Sequence, residues 1–213
     1  VVTIHSVSSY LANKLAEITN QRENTNKMTY GLELILGESS KLASLLLTAY
    51  IFDLFTPMLI LLLVLTPLRV VIGGGHCTSS MRCLITAEIM YMLMALGINL
   101  MAKSVSLIYL FGLSVGVLCL LTVIVDRTGP GVSINYPNPS PEKIDQIKRI
   151  VFYQVTLYTI GILVLYAGVQ NSLASVVMAS AAIGGLWQSI MATVVGEKII
   201  SIMDKGLLYA KIK

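Results

Sequence analysis

The sequence predicts an all-α polytopic membrane protein, and three observations carry that prediction. The chain is 55% hydrophobic and only 12% charged, with a mean hydropathy of +0.80, a balance that no ordinary water-facing exterior supports. Apolar runs recur at lengths that fit the 17–25 residues a bilayer requires of a helix. Lysine and arginine are also confined to a few segments between those runs, as the positive-inside rule leads one to expect. Three cysteines with no paired spacing argue against a disulfide scaffold.

In chain order, residues 1–30 form a cytosolic or interfacial lead-in without the apolar core of a signal peptide. Val7, Tyr10, Leu11, Leu15 and Ile18 recur at helical spacing, with Asn13, Lys14 and Glu17 elsewhere and Ser8 as the expected N-cap. That is the pattern of a helix lying on a membrane surface. His5, in a polar terminal stretch, reads as a bystander. Residues 31–72 contain Asp53 and Pro57 near the centre of an apolar stretch. Thr56-Pro57 reads as an N-cap and first helical position. The expected result is a helical hairpin, from about Gly31 to Phe55 and from Pro57 to about Ile72, embedded or re-entrant, with Thr66-Pro67 as a kink. A single span over Leu42–Leu65 is the alternative.

Four clearer spans follow at Leu84–Met101, Val105–Val125, Ile150–Gly168 and Ser172–Val195, giving six membrane segments in total. Between the second and third of these, the Pro-rich loop 126–149 ends in Ser140-Pro141-Glu142, a helix start. The tail 196–213 alternates apolar residues with lysines and reads as a second interfacial amphipathic helix. The whole is expected to be one membrane-embedded domain, with residues 73–83 as its loop of interest and 84–125 and 150–195 as transmembrane pairs.

Charge orients this layout. The hairpin places 14 of the 15 Lys and Arg residues on one side and leaves Lys103 alone opposite. By the positive-inside rule that side is the cytoplasm, with both termini and the 73–83 loop facing it.

The chemistry concentrates in Leu68–Cys83, LRVVIGGGHCTSSMRC, which holds one of the two histidines and two of the three cysteines. An imidazole that takes a thiol proton and a thiolate that attacks a carbonyl are the minimum equipment for acyl transfer. His76 and Cys83 are seven residues apart, roughly 10 Å on a continuous helix, too far for proton transfer. Gly73, Gly74 and Gly75 let the chain turn back. Metal binding by His76, Cys77 and Cys83 is the rival, but no fourth ligand, CxxC pair or HExxH accompanies them. Ser79 and Ser80 read as turn or cap residues, and Cys119 reads as packing. Arg69 is either a snorkelling anchor or a fixed positive charge for a thiolate, an oxyanion or an acidic group. Glu33, Glu38 and Asp53 are open candidates to orient His76 or pair with Arg69. No cofactor, metal or nucleic acid is expected, and a small membrane transporter or peptide exporter remains the non-enzymatic alternative.

Arg69, Gly73, Gly74, His76 and Cys83 reproduce an R-x3-GG-x-H-x6-C pattern, by which the chain resembles the accessory gene regulator B family (AgrB). The resemblance extends to Tyr30-Gly31-Leu32-Glu33 and to the Pro-rich Tyr136–Lys143 loop. It implies a membrane cysteine endopeptidase that cleaves the C-terminal part of an AgrD-like quorum-sensing propeptide. His76 and Cys83 would be the catalytic pair, with Arg69, the three glycines and Glu33 in support. It also implies an acyl-thioester on Cys83, its exchange into a thiolactone, and a homodimer. Arg127, Lys143, Lys148 and Arg149 are candidates to hold an acidic substrate tail.

Overall fold

A computed structural model describes residues 4–75, 77–130, 140–169 and 171–210. Its described residues form helices α1 (Ile4–Ile18), α2 (Thr25–Ile51), α3 (Phe55–Ile72), α4 (Ser80–Ser104), α5 (Leu107–Thr128), α6 (Pro141–Gly168), α7 (Ser172–Met191) and α8 (Val194–Tyr209), with a short 3-10 turn at Arg22–Asn24. Six helical stretches are long and apolar enough to cross a membrane: Arg22–Ile51 and α3 to α7. The protein is therefore an all-helical, multi-pass membrane protein. Contacts divide the chain into two units, Val1–Thr48 and Ala49–Lys213.

In the first unit α1 starts at Ile4, so Ser8 lies inside the helix and not at its cap. Ser8, Ala12 and Ala16, spaced by four, are buried, whereas Val7, Tyr10, Leu11, Leu15 and Ile18 are exposed. Small residues thus mark the packed face, and the large apolar stripe is left for lipid, as an interfacial helix requires. His5 is no bystander: its Nδ1 hydrogen-bonds the carboxylate of Glu33 on α2.

The hairpin break falls at residues 52–54, slightly ahead of Thr56-Pro57. Leu54 N–H closes on Ala49 O at 2.8 Å, and Asp53 sits at φ +56°, so the chain has already turned when α3 begins. Leu54, not Thr56, is the N-cap, and Pro57 falls in the first turn, where its missing N–H leaves no acceptor unmet. Pro67 lies inside the continuous α3. Around it Tyr158 Oη donates to Val64 O (3.1 Å) and Gln154 Nε2 to Pro67 O (3.3 Å), tying α6 to α3.

The second unit is organised around α7, which packs against α3, α4, α5, α6 and α8. Its buried residues are mostly small, among them Ala174, Ala179, Ser180, Ala181, Ala182, Gly184 and Gly185. In a bilayer, where lipid is as apolar as leucine, close backbone approach and dispersion replace the hydrophobic drive, and small residues permit both. A Cβ on Gly185 would stand 3.0 Å from Val117 Cγ1 on α5. Cys119, in contrast, faces outward on α5 and is not a packing residue. The span α7 also ends at Met191, four residues earlier than expected, because the chain turns there into α8. A Cβ on Gly196 would lie 2.5 Å from Met191 Cα, so the corner admits only glycine. One face of α8, carrying Gly196, Ile200 and Asp204, is buried, which makes the tail helix a packed element and not only a surface one.

Candidate active site

The candidate site lies between α3 and α4, where the helix is broken as the glycine run requires. Helix α3 stops when Gly73 takes φ +80° and its N–H closes on Arg69 O at 2.8 Å; Gly74 follows at φ +150°. Only glycine enters such conformations without a Cβ penalty. Gln188 Nε2 on α7 then donates to Gly73 O at 2.9 Å. A Cβ on Gly74 would meet Met191 Cβ at 3.5 Å, and one on Gly75 would meet Ile200 Cβ at 3.4 Å. The loop therefore runs against the α7–α8 corner, with Arg69 Nη2 donating to Gly75 O at 3.5 Å.

Beyond the glycines a buried ionic cluster fixes the start of α4. Arg82 Nε donates to Asp204 Oδ1 at 2.7 Å, and Arg82 Nη2 donates to Thr78 Oγ1 at 2.6 Å. The second carboxylate oxygen of Asp204 accepts from the Thr78 hydroxyl (2.7 Å) and from the Thr78 N–H (3.2 Å). Side-chain exposure is 9% for Arg82 and 12% for Asp204. The Arg82 hydrogen bond, followed by that from Thr78, holds the Asp204 carboxyl below the usual carboxylate range against the opposing effect of burial. A pair this shielded from water is held by its hydrogen bonds as much as by its charges. It pins three segments together: the loop, the first turn of α4, and α8.

Cys83 is the fourth residue of α4, its N–H donating to Ser79 O at 2.9 Å. Ser79 and Ser80 occupy the N-cap and first position, as expected of cap residues. Cys77 and Cys83 line one small cavity, and Cys77 Sγ lies 3.6 Å from Thr86 Oγ1. Burial pushes the Cys77 thiol up from its ordinary value. A cavity of about 30 Å³ lies beside these groups, lined by Arg69, Gly75, Cys77, Cys83, Thr86 and Trp187 among others. A guanidinium and two thiols thus share one small enclosure, where a positive charge favours a thiolate.

Of the residues singled out in the sequence, the structure brings together Arg69, Gly75 and Cys83, with Gly73 and Gly74 forming the turn that leads there. His76 lies outside the described residues, as do residues 131–139 of the Pro-rich loop. Glu33 bonds His5, and Glu38 pairs with Lys41 at 2.7 Å. Asp53 sits at the opposite end of α3, about 27 Å of helix away from Gly73, so it does not orient groups in this loop. Lys143, Lys148 and Arg149 are not loop residues: α6 begins at Pro141, with the Ser140 side chain accepting from Lys143 N–H at 3.4 Å. Lys148 pairs with Asp126 across α5 and α6 at 3.3 Å. Arg127 lies in the last turn of α5.

Sequence reasoning missed Asp204, and treated Arg82 only as a topology charge. The signal was present in the spacing of Gly196, Ile200 and Asp204, which places the acid on the packed face of α8. Glu88 was also missed. It lies on α4, and both its carboxylate oxygens are buried without a hydrogen-bond partner among the described residues, an expensive arrangement within a membrane span.

A bundle of membrane-crossing helices with a thiol-lined cavity at the head of one of them defines a polytopic membrane protein of the thiol-bearing class. The family model described as Accessory gene regulator B matches residues 4–192, and the chain belongs to that family. It is 25% identical over 212 residues to AgrB-like protein 2 of Clostridium perfringens (strain 13 / Type A), covering 94% of this chain and 96% of that one. That name states a likeness and no activity. No solved structure matches the chain. Family membership gives the protein a role in the agr quorum-sensing system, a membrane setting and an AgrD-like propeptide as its substrate.

Proposed function

We propose that this protein is a membrane-embedded cysteine endopeptidase that cleaves the C-terminal part of the propeptide and passes the remainder on as a thiolactone. The observation that carries this reading is the placement of Cys83 beside Arg69 in one small cavity, next to a loop clamped on both flanks. His76 stands in sequence between Gly75 and Cys77, which both line that cavity. Its imidazole takes the Cys83 proton, and the sulfur attacks the scissile carbonyl. The C–N bond breaks, and the leaving amine departs with the proton from His76. Arg69 stabilises the thiolate and the oxyanion of the tetrahedral intermediate. A thiol within the substrate then attacks the acyl-thioester, closes the ring and returns the Cys83 sulfur. One thioester replaces another, so the exchange is close to energetically neutral, and excluding water until it occurs protects the product.

By the positive-inside rule, the basic residues that cluster at the loop end of the helices support a cytoplasmic loop, where an acidic propeptide tail is drawn to them. An impermeant thiol reagent that labels Cys77 from outside intact cells overturns that orientation. The chemistry is tested by incubating purified protein in lipid with propeptide and assaying a hydroxylamine-sensitive adduct. Cys83→Ala abolishes both adduct and cleavage. An adduct that persists in that variant refutes the assignment.

A further inference from the structure

The proposed chemistry uses one thiol, yet the cavity contains two. Cys77 and Cys83 are six residues apart, one in the loop and one on the first turn of α4, and both line that cavity. Neither is in a disulfide. Loop and helix are both anchored to Asp204, through Thr78 and Arg82, so the fold holds the two thiols at one cavity. A volume of about 30 Å³ has room for roughly one water-sized molecule. A small hydroperoxide fits such a space. Arg69 on the same wall favours ionised sulfur, the form that peroxides oxidise.

We propose that Cys77 and Cys83 together form an oxidative modification site, at which hydrogen peroxide converts the two thiols into a disulfide that a dithiol reductant reopens. The inference rests on the reading of Cys83 as the nucleophile. The Cys83 thiolate attacks one peroxide oxygen, the O–O bond breaks, and hydroxide leaves and is protonated to water. Sulfur has lost two electrons to peroxide and stands as sulfenic acid. The Cys77 sulfur then attacks the Cys83 sulfur, the S–O bond breaks, and hydroxide departs with the Cys77 proton as water. A dithiol of the thioredoxin class returns two electrons by exchange through a mixed disulfide. Burial keeps Cys77 protonated, so it resists oxidation itself and serves as the resolving partner. The outcome is a reversible block in place of sulfinic acid, which thiols do not reduce.

The test is direct, because trypsin cuts after Arg82, between the two cysteines. Protein in lipid nanodiscs is treated with hydrogen peroxide, alkylated, digested and mapped by mass spectrometry. The expected result is a disulfide joining residues 70–82 to residues 83–103, two hydrogens lighter than the separate peptides, that disappears on reduction. Processing activity is lost with peroxide and returns with dithiothreitol. In Cys77→Ser, normalised to its own untreated activity, the loss does not return and Cys83 is found as sulfinic acid. Wild-type protein in which Cys83 becomes sulfinic while Cys77 still alkylates overturns the proposal, as does a disulfide to Cys119. A mapped Cys77–Cys83 disulfide in protein that still cleaves propeptide upholds the site and refutes Cys83 as the nucleophile, so the two readings fail separately.

Discussion

The two ends of the Ala49–Lys213 unit handle charge in opposite ways. At the end where α3 meets α4, Arg82 and Asp204 are buried against each other with Thr78 between them, and Arg69 reaches the backbone of Gly75. At the other end Asp53, Asn99, Lys103 and Ser172 line an open cavity of about 590 Å³ together with Tyr50 and Phe55. There, among the described residues, Asp53 and Lys103 have no ion-pair partner. Charges that are desolvated and locked hold a loop to a fixed geometry, whereas charges open to water hold nothing in place. The clamped end therefore has the preorganisation that chemistry demands, and the open end does not.

The largest effect expected from disturbing this contrast follows from removing the proposed base, His76. His76→Ala leaves the thiol but costs about 10²–10⁴-fold in kcat, the usual contribution of a general base. Residual cleavage then climbs as pH rises toward about 8.5, where an unassisted thiol ionises. A flat pH profile in that variant removes His76 from the proton transfer.

Next comes the clamp itself. Asp204→Asn keeps the shape but removes the carboxylate charge that Arg82 and Thr78 bind, and the loop loses its charged anchor. A displacement of about 1 Å is enough to lower kcat by up to about 10²-fold, read by propeptide processing in lipid. The pH dependence has a definite sign. The folded-state pKa of Asp204 is depressed, so its contribution to stability is complete above the unfolded carboxylate value near about 4 and is lost as pH falls through the folded value. Melting curves of wild type should drop on that acid limb, and those of Asp204→Asn should lack this component.

Gly196→Ala acts one step further from the chemistry. The added methyl meets the Met191 backbone at the α7–α8 corner, and overpacking of this kind costs about 1–3 kcal/mol. A lowered Tm with a smaller loss of activity is the expected pair of readings. Lys103→Gln, at the open end, should change stability by no more than about 0.5 kcal/mol and leave processing intact. A large effect there would show that the open end also holds the site in place.

Much of this organisation was legible in the sequence, for identifiable reasons. The helices announce themselves because uninterrupted hydropathy has few other uses at such lengths, and the break at Gly73–Gly75 follows from three glycines between two apolar runs. Helix ends were legible where caps marked them, at Ser79-Ser80 and Ser140-Pro141, and less so at the end of α7, which stops at Met191 instead of Val195. The outward face of Cys119 was hidden because an almost wholly apolar helix gives no periodic signal of which side is packed. The Asp204 clamp was hidden for a different reason, since it joins residues more than 120 positions apart and no local pattern encodes such a pairing.

Helix lengths have one more consequence. At 18 residues α3 is about 27 Å long, whereas the 28 residues of α6 reach about 42 Å, on either side of the roughly 30 Å hydrocarbon thickness. A long helix accommodates a change in membrane thickness by changing its tilt, but a short one has no such slack. Helix α3 therefore sets the depth of Arg69 and the glycine turn, and acyl-chain length in the surrounding lipid becomes a control on how far the thiol cavity sits below the headgroups.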